Sequence, residues 1–85
     1  MGTWNFRVLA HKYKYPNMNK VDILFSIHEV HYDENNVATG YSGPPANLGN
    51  IETIDGLKWD VNKIQEAFNK PVLDRDNFPN EYNPS

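Results

Sequence analysis

The sequence predicts an α+β domain in which a three-stranded antiparallel β-meander is packed on one face by a single C-terminal α-helix, in the order β-β-β-α. Two patterns favour this class. Apolar residues alternate with polar ones over residues 4–10, and they recur at helical spacing over residues 54–68. A chain of 85 residues holds one domain with one modest core. We therefore expect a compact domain over 1–73 and a polar, loosely held tail over 74–85.

The strands are predicted from the alternation and from the turn formers between them. The first strand is expected at 3–12 and the second at 21–32, with a third at 37–42 after a turn rich in Asp and Asn. In the expected register Phe6 faces Ile27. The sheet face expected to be buried carries Trp4, Phe6, Val8, Phe25 and Ile27.

The helix is predicted from about Ile54 to Asn69, with Thr53 as its N-cap and Pro71 beyond its end. Its apolar positions fall on one stripe, which we expect to cover the buried face of the sheet. The stripe consists of Ile54, Leu57, Val61, Ile64 and Phe68.

Composition excludes several classes of protein. There is no cysteine, which excludes disulfides, thiolate metal sites and cysteine nucleophiles. No segment approaches the roughly 18 apolar residues of a membrane span, and the start lacks the pattern of a secretion signal. We expect a cytoplasmic protein with no membrane partner.

Trp59 is the strongest sequence signal for binding. It lies opposite the apolar stripe, among polar neighbours that include Asp55 and Lys63, and exposed aromatic anchors concentrate at interfaces. The alternative is that the loop at Pro44 and Pro45, or the tail at Phe78 and Tyr82, covers the ring.

The outer face of the predicted sheet is a second candidate interface. One helix covers only one face, so the other is expected to be wet and to meet a protein partner or a second copy of the chain. The alternative is an ordinary exposed face with cross-strand tyrosines. Its residues are Leu9, Leu24, His28, Val30, Tyr32, Thr39 and Tyr41.

The first hairpin loop is a third candidate surface. The first 20 residues hold four basic residues and no acid, whereas the remaining 65 hold four basic and eleven acidic residues. Cations interleaved with aromatic rings suit a phosphate backbone and unpaired bases, although the acidic remainder disfavours nucleic acid and a solvated hairpin tip explains the same composition. The residues are Lys12, Tyr13, Lys14, Tyr15 and Lys20.

His28, Glu29 and His31 are a candidate site for metal-dependent catalysis, because imidazole and carboxylate are common metal ligands. On a strand His28 points away from the other two, so we expect no metal site and no cofactor. Ser26 lacks the turn that presents a catalytic serine. We expect no enzyme.

Three stretches of the sequence form a recognisable set: Trp4-Asn5-Phe6-Arg7-Val8, Ile27-His28-Glu29-Val30-His31-Tyr32-Asp33 and Lys70-Pro71-Val72-Leu73-Asp74. Together they resemble a group of small, uncharacterised bacterial and phage-associated proteins. This chain departs from the group in its longer first hairpin loop and in Gly56, where an acidic residue would complete a capping box. The resemblance implies one compact domain in a mobile-element context.

The expected function is a small non-enzymatic protein-binding module. Its acidic balance suits an inhibitor of a nuclease or a ribonucleoprotein with a basic channel. Taken with the mobile-element context, this charge leads us to expect a phage-borne inhibitor of host defence, with CRISPR systems among the candidate targets. A nucleic-acid-binding protein that uses the hairpin loop is the first alternative. A metal-dependent enzyme centred on His28, Glu29 and His31 is the second.

Overall fold

Two long strands form the centre of a four-stranded sheet, and two short strands flank them. The computed structural model describes residues 2–84; Met1 and Ser85, at the ends of the predicted domain and tail, lie outside them. The order across the sheet is β3-β2-β1-β4, antiparallel except that β4 runs parallel to β1. The α+β class is confirmed, with one strand more than predicted. The strands are β1 (Thr3–Lys14), β2 (Val21–Tyr32), β3 (Ala38–Tyr41) and β4 (Leu73–Asp74).

The register of the first hairpin differs from the expected one by two residues. Phe6 lies opposite Glu29, and Val8 lies opposite Ile27. The reason is that β1 continues to Lys14 and the turn closes tightly, with the Tyr15 amide donating to the Lys20 carbonyl at 3.3 Å. A shift of two residues leaves every side chain on its predicted face, because side chains alternate with a period of two.

The segment after β4, predicted to be a loose tail, packs over the outer face of the sheet. Residues 75–80, here the C-terminal lobe, leave the sheet edge and return to it, where the Asp74 amide donates to the Asn80 carbonyl at 2.8 Å. The Phe78 ring lies 4.9 Å from the Tyr41 ring. The lobe is therefore the second layer of this face.

Val8 and Ala10 are buried on the face that was predicted to be covered, but a second buried cluster lies on the face that was expected to be exposed. Leu9, Val30 and Leu73 form this second cluster, and Phe78 and Tyr41 pack against it. The expectation of a wet outer face is wrong. The last residues are polar on average, but Phe78 among them packs on the sheet and shields this face from water.

The helix α1 (Ile54–Gln65) continues as a 3-10 turn over Glu66–Asn69. Thr53 caps it as predicted, with Oγ1 accepting from the Gly56 amide at 2.9 Å. No residue of α1 is buried, and its described portion is too short and polar to cross a membrane, as are all helices in residues 2–84.

The apolar stripe of the helix does not face the sheet. Ile54 is 73% exposed and Phe68 is 69% exposed, whereas Ala67 is buried. Among the half-buried residues of α1, Gly56, Asp60 and Lys63 follow the spacing of one helix face. At about 100° per residue, that face lies roughly a quarter of a revolution from the predicted stripe. Helical spacing determines which residues share a face, but the packing partner decides which face is covered.

A helix that buries no side chain should open more readily than the central strands. We expect α1 amides to exchange hydrogen faster than those of β1 and β2, and Thr53→Ala to weaken their protection by about 1 kcal/mol. Native-state hydrogen exchange measures both, with Thr39→Ala as the control. Equal protection of α1 and β2 would contradict the expectation.

Candidate functional site

His28, predicted to be a partner contact, is 1% exposed and anchors a loop. Its Nδ1 lies 2.8 Å from the Ser42 carbonyl, which only accepts, so Nδ1 carries a proton and donates. In the neutral ring, Nε2 then accepts from the Ser26 hydroxyl at 2.8 Å. The imidazole therefore ties the chain after β3 to the middle of β2.

The same geometry leaves the metal-centred alternative without support. Both ring nitrogens of His28 are engaged within the protein. Glu29 points to the opposite face of the sheet, and residues 2–84 contain no group of three or more His, Cys, Asp or Glu that could hold a metal ion.

Removal of the His28 ring should be costly. His28→Ala leaves a cavity and a buried Ser42 carbonyl without its donor, so we expect about 2–4 kcal/mol less unfolding free energy. Urea denaturation measures the loss. His31→Ala, at an exposed site on the same strand, is the matched control and should stay within about 0.5 kcal/mol of the parent.

Tyr32 and Val30 also lie within the fold rather than on a free surface. Val30 is fully buried. The Tyr32 hydroxyl accepts from Arg7 Nη1 at 3.0 Å and donates to Asn5 at 2.9 Å. Arg7 Nη2 donates to the Pro71 carbonyl at 2.7 Å, so this network joins the sheet to the chain that leaves the helix.

The hairpin tip uses its aromatic rings internally. Tyr13 and Tyr15 lie edge to face at 5.0 Å, and Lys20 Nζ lies 5.4 Å from the centre of the Tyr15 ring. The Tyr15 hydroxyl donates to Asp22 at 2.7 Å, and this hydrogen bond raises the pKa of Tyr15. Lys12 and Lys14 remain exposed, but the tip offers fewer free rings than its composition indicates.

An exposed carboxylate fastens the C-terminal lobe to β1. The Lys12 amide donates to Asp76 Oδ2 at 2.9 Å, and His11 Nδ1 donates to Oδ1 at 2.7 Å. These bonds hold the pKa of the Asp76 carboxyl below its ordinary value of 3.8, and the bond from the Lys12 amide has the largest effect.

This low pKa makes stability depend on pH in the acid range. Since the folded pKa lies below the unfolded one, ionised Asp76 stabilises the fold above about pH 4, and the contribution disappears as pH falls through the folded pKa. Urea midpoints at about pH 5.5 and about pH 3 should differ less in Asp76→Asn than in the parent. Asp60→Asn is the control, and an equal pH dependence in Asp76→Asn would contradict this assignment.

Trp59 and Lys63 meet a residue that was predicted to belong to the core. Lys63 Nζ lies 5.7 Å from the ring centre of Trp59 and 5.7 Å from that of Trp4. Trp59 is 56% exposed and Trp4 is 42% exposed. We call Trp4, Lys63 and Trp59 the tryptophan–lysine cluster.

A cleft adjoins this cluster through Phe6, whose ring meets that of Trp4 edge to face at 5.3 Å. The cleft has a volume of about 220 Å³. Its floor lies on β1 and β2, and its wall is the chain after β3. We call it the proline cleft, and it is lined by Phe6, Glu29, Ser42, Pro44, Pro45, Ala46 and Asn47.

No protein family, curated protein or solved structure matches the chain. The resemblance carried by the three sequence stretches stays a prediction, and function is inferred from the surfaces of the protein.

The structure thus unites some predicted site residues and separates others. Trp59 and Lys63 lie together, whereas Asp55 is exposed in the first turn of α1 and has no described contact with them. The sequence did not identify Trp4 and Phe6 as part of a binding surface. They belong to an alternating apolar pattern that is typical of a strand with one buried face. Their place near the start of β1, beyond the cover of a short helix, is a signal that sequence alone does not supply.

Another exposed apolar surface lies on the opposite side of α1. Side chains of Ile54, Leu57, Lys58 and Val61 line a groove along the helix. This spacing of i, i+3, i+4 and i+7 is that of one hole in a helical coiled coil, and it extends over a single heptad. We call it the apolar row.

Proposed function

We propose that the protein is a non-enzymatic protein-binding module whose contact surface joins the tryptophan–lysine cluster to the proline cleft. The observation that carries the proposal is the exposure of two tryptophans around one lysine. Tryptophan dominates the energetics of many interfaces, and burying these rings in a partner would gain the hydrophobic free energy that the folded monomer leaves unused.

This proposal moves the contact surface away from the outer face of the sheet. His28 and Val30 are buried there, and Phe78 covers the face. A homodimer through that face would require the C-terminal lobe to leave it. The tryptophan–lysine cluster and the proline cleft are accessible without any rearrangement.

The finer proposal is that the protein inhibits a nuclease or another nucleic-acid-handling protein. Net charge supports it, because the chain carries −3 overall and all eleven acidic residues follow residue 20. An acidic particle is attracted to a basic channel over a distance set by ionic strength.

Site-specific photocrosslinking tests the proposal. A photoreactive amino acid is placed at position 59, at Asn47 beside the proline cleft, or at Met18, which is 62% exposed on the distant hairpin. We expect positions 59 and 47 to crosslink the same protein and position 18 not to do so. Equal capture from position 18, or adducts with nucleic acid alone, would overturn the proposal.

A further inference from the structure

The wall of the proline cleft is held by hydrogen bonds to one strand. The Ser42 amide donates to the Glu29 carbonyl at 2.9 Å, and the Ala46 amide donates to the Ile27 carbonyl at 2.7 Å. The Ser42 hydroxyl donates to the Pro44 carbonyl at 3.0 Å and accepts from the Glu29 amide at 3.3 Å. With His28 bound to the Ser42 carbonyl beneath, the cleft exists before any ligand arrives.

The Glu29 side chain gives this cleft its chemistry. It lines the cleft and is partly buried. Across residues 2–84, no hydrogen-bond donor or basic side chain pairs with its carboxylate. A half-buried carboxylate without a partner readily accepts hydrogen bonds from a cation. Burial has already removed part of its water shell, so less desolvation is needed when the cation binds.

The other walls specify which cation fits. Phe6 supplies an aromatic ring, and Pro44 and Pro45 supply apolar surface. A guanidinium group is planar, stacks on aromatic rings, and binds a carboxylate through two parallel hydrogen bonds. It is also less strongly hydrated than an ammonium group, so it loses less on entering a partly apolar cleft.

From these features we infer that the proline cleft binds an arginine side chain of the protein partner, with Glu29 accepting from the guanidinium and Phe6 stacking against it. The inference rests on the proposed protein-binding function and adds the chemistry of one contact. Tryptophans beside the cleft then cover apolar surface next to the arginine. A basic partner surface agrees with the acidic balance of the chain.

The direct test uses a small probe and the intact chain. The peptide acetyl-Gly-Arg-Gly-amide is titrated into ¹⁵N-labelled protein, and the same peptide with citrulline serves as the neutral isostere. We expect the arginine peptide to shift the amide resonances of Phe6, Glu29 and Ala46 in a saturable way, and citrulline to bind about tenfold more weakly. Equal binding of the two peptides, or shifts confined to other surfaces, would overturn the inference.

Two variants separate the roles of charge and ring. Glu29→Gln should weaken binding of the arginine peptide about tenfold. Glu52→Gln makes an equal change of charge at an exposed loop and should leave binding unchanged. Phe6→Leu should weaken it a few fold, because the apolar volume is kept and the aromatic plane is lost. Unchanged binding in Glu29→Gln would contradict the assignment, and the spectrum of each variant reports whether it is folded.

Failure here is distinguishable from failure of the proposed function. If the arginine peptide does not enter the cleft while positions 59 and 47 still crosslink one protein, the arginine contact is wrong and the binding surface stands. If the peptide binds and no protein crosslinks, the cleft recognises arginine but the proposed function fails.

Discussion

Phe78→Ala is expected to cost about 3 kcal/mol of unfolding free energy, whereas Phe68→Ala costs less than about 1 kcal/mol. The sequence pattern alone favours the reverse order, since Phe68 continues the helical stripe and Phe78 follows a polar stretch. In the structure Phe78 packs against the buried cluster of Leu9, Val30 and Leu73, and Phe68 is 69% exposed.

The cost at Phe78 has two physical sources. Alanine removes apolar area that is shielded from water, and it leaves a gap beside Tyr41 that the surrounding strands cannot fill completely. The lobe would also lose the contact that holds it over the sheet, so the loss should be larger than transfer free energy alone predicts.

Urea denaturation of the two variants measures the difference. The same substitution is made in both, so differences in side-chain chemistry cancel. Equal losses, or a larger loss in Phe68→Ala, would show that the helical stripe and not the C-terminal lobe completes the core. Fluorescence and circular dichroism should give coincident transitions if unfolding is two-state.

Trp59→Ala is expected to weaken binding of the partner identified by crosslinking by about 2 kcal/mol, which is about thirtyfold in dissociation constant. The unfolding free energy should change little. The ring is 56% exposed, so the monomer gains little from it. In a complex the same ring would lose its remaining contact with water, and truncation to alanine removes the gain from that step.

The matched control is Phe68→Ala, which removes another exposed aromatic ring from the 3-10 turn that follows α1. Its affinity for the partner should stay within about threefold of the parent. Lys63→Gln should have an intermediate effect, because the charge between the two tryptophan rings is lost while most of the side chain remains. Titration calorimetry measures all three, and an unchanged affinity in Trp59→Ala would remove the cluster from the interface.

Several features were predictable because they depend on local chemistry. Thr53 caps the helix as its hydroxyl requires, and the alternation near Trp4 produces a strand with its residues on the predicted faces. The opposition of Trp59 to the apolar stripe follows from helical geometry alone. These features depend on residues a few positions apart in the chain.

The candidate site was only partly predictable. Trp59 and Lys63 could be placed on one side of the helix from their spacing. Trp4 could not be placed beside them, because it lies more than 50 positions away in the chain. Glu29 could not be placed in a cleft with Phe6 for the same reason, since the two are about 20 positions apart. A lysine between two tryptophans and an unpaired carboxylate in a cleft are arrangements that only the tertiary structure reveals.

By itself, then, the sequence determined the α+β class, the order of the main elements, the helix cap and the membership of each face. Tertiary structure alone decided that the outer face of the sheet also holds a buried cluster, how the helix was turned, and which aromatic residues stayed exposed. The physical reason is that periodicity specifies faces within an element, while burial is a competition between elements. One phenylalanine in the C-terminal lobe covers the outer face, and the apolar stripe of the helix is left largely in water.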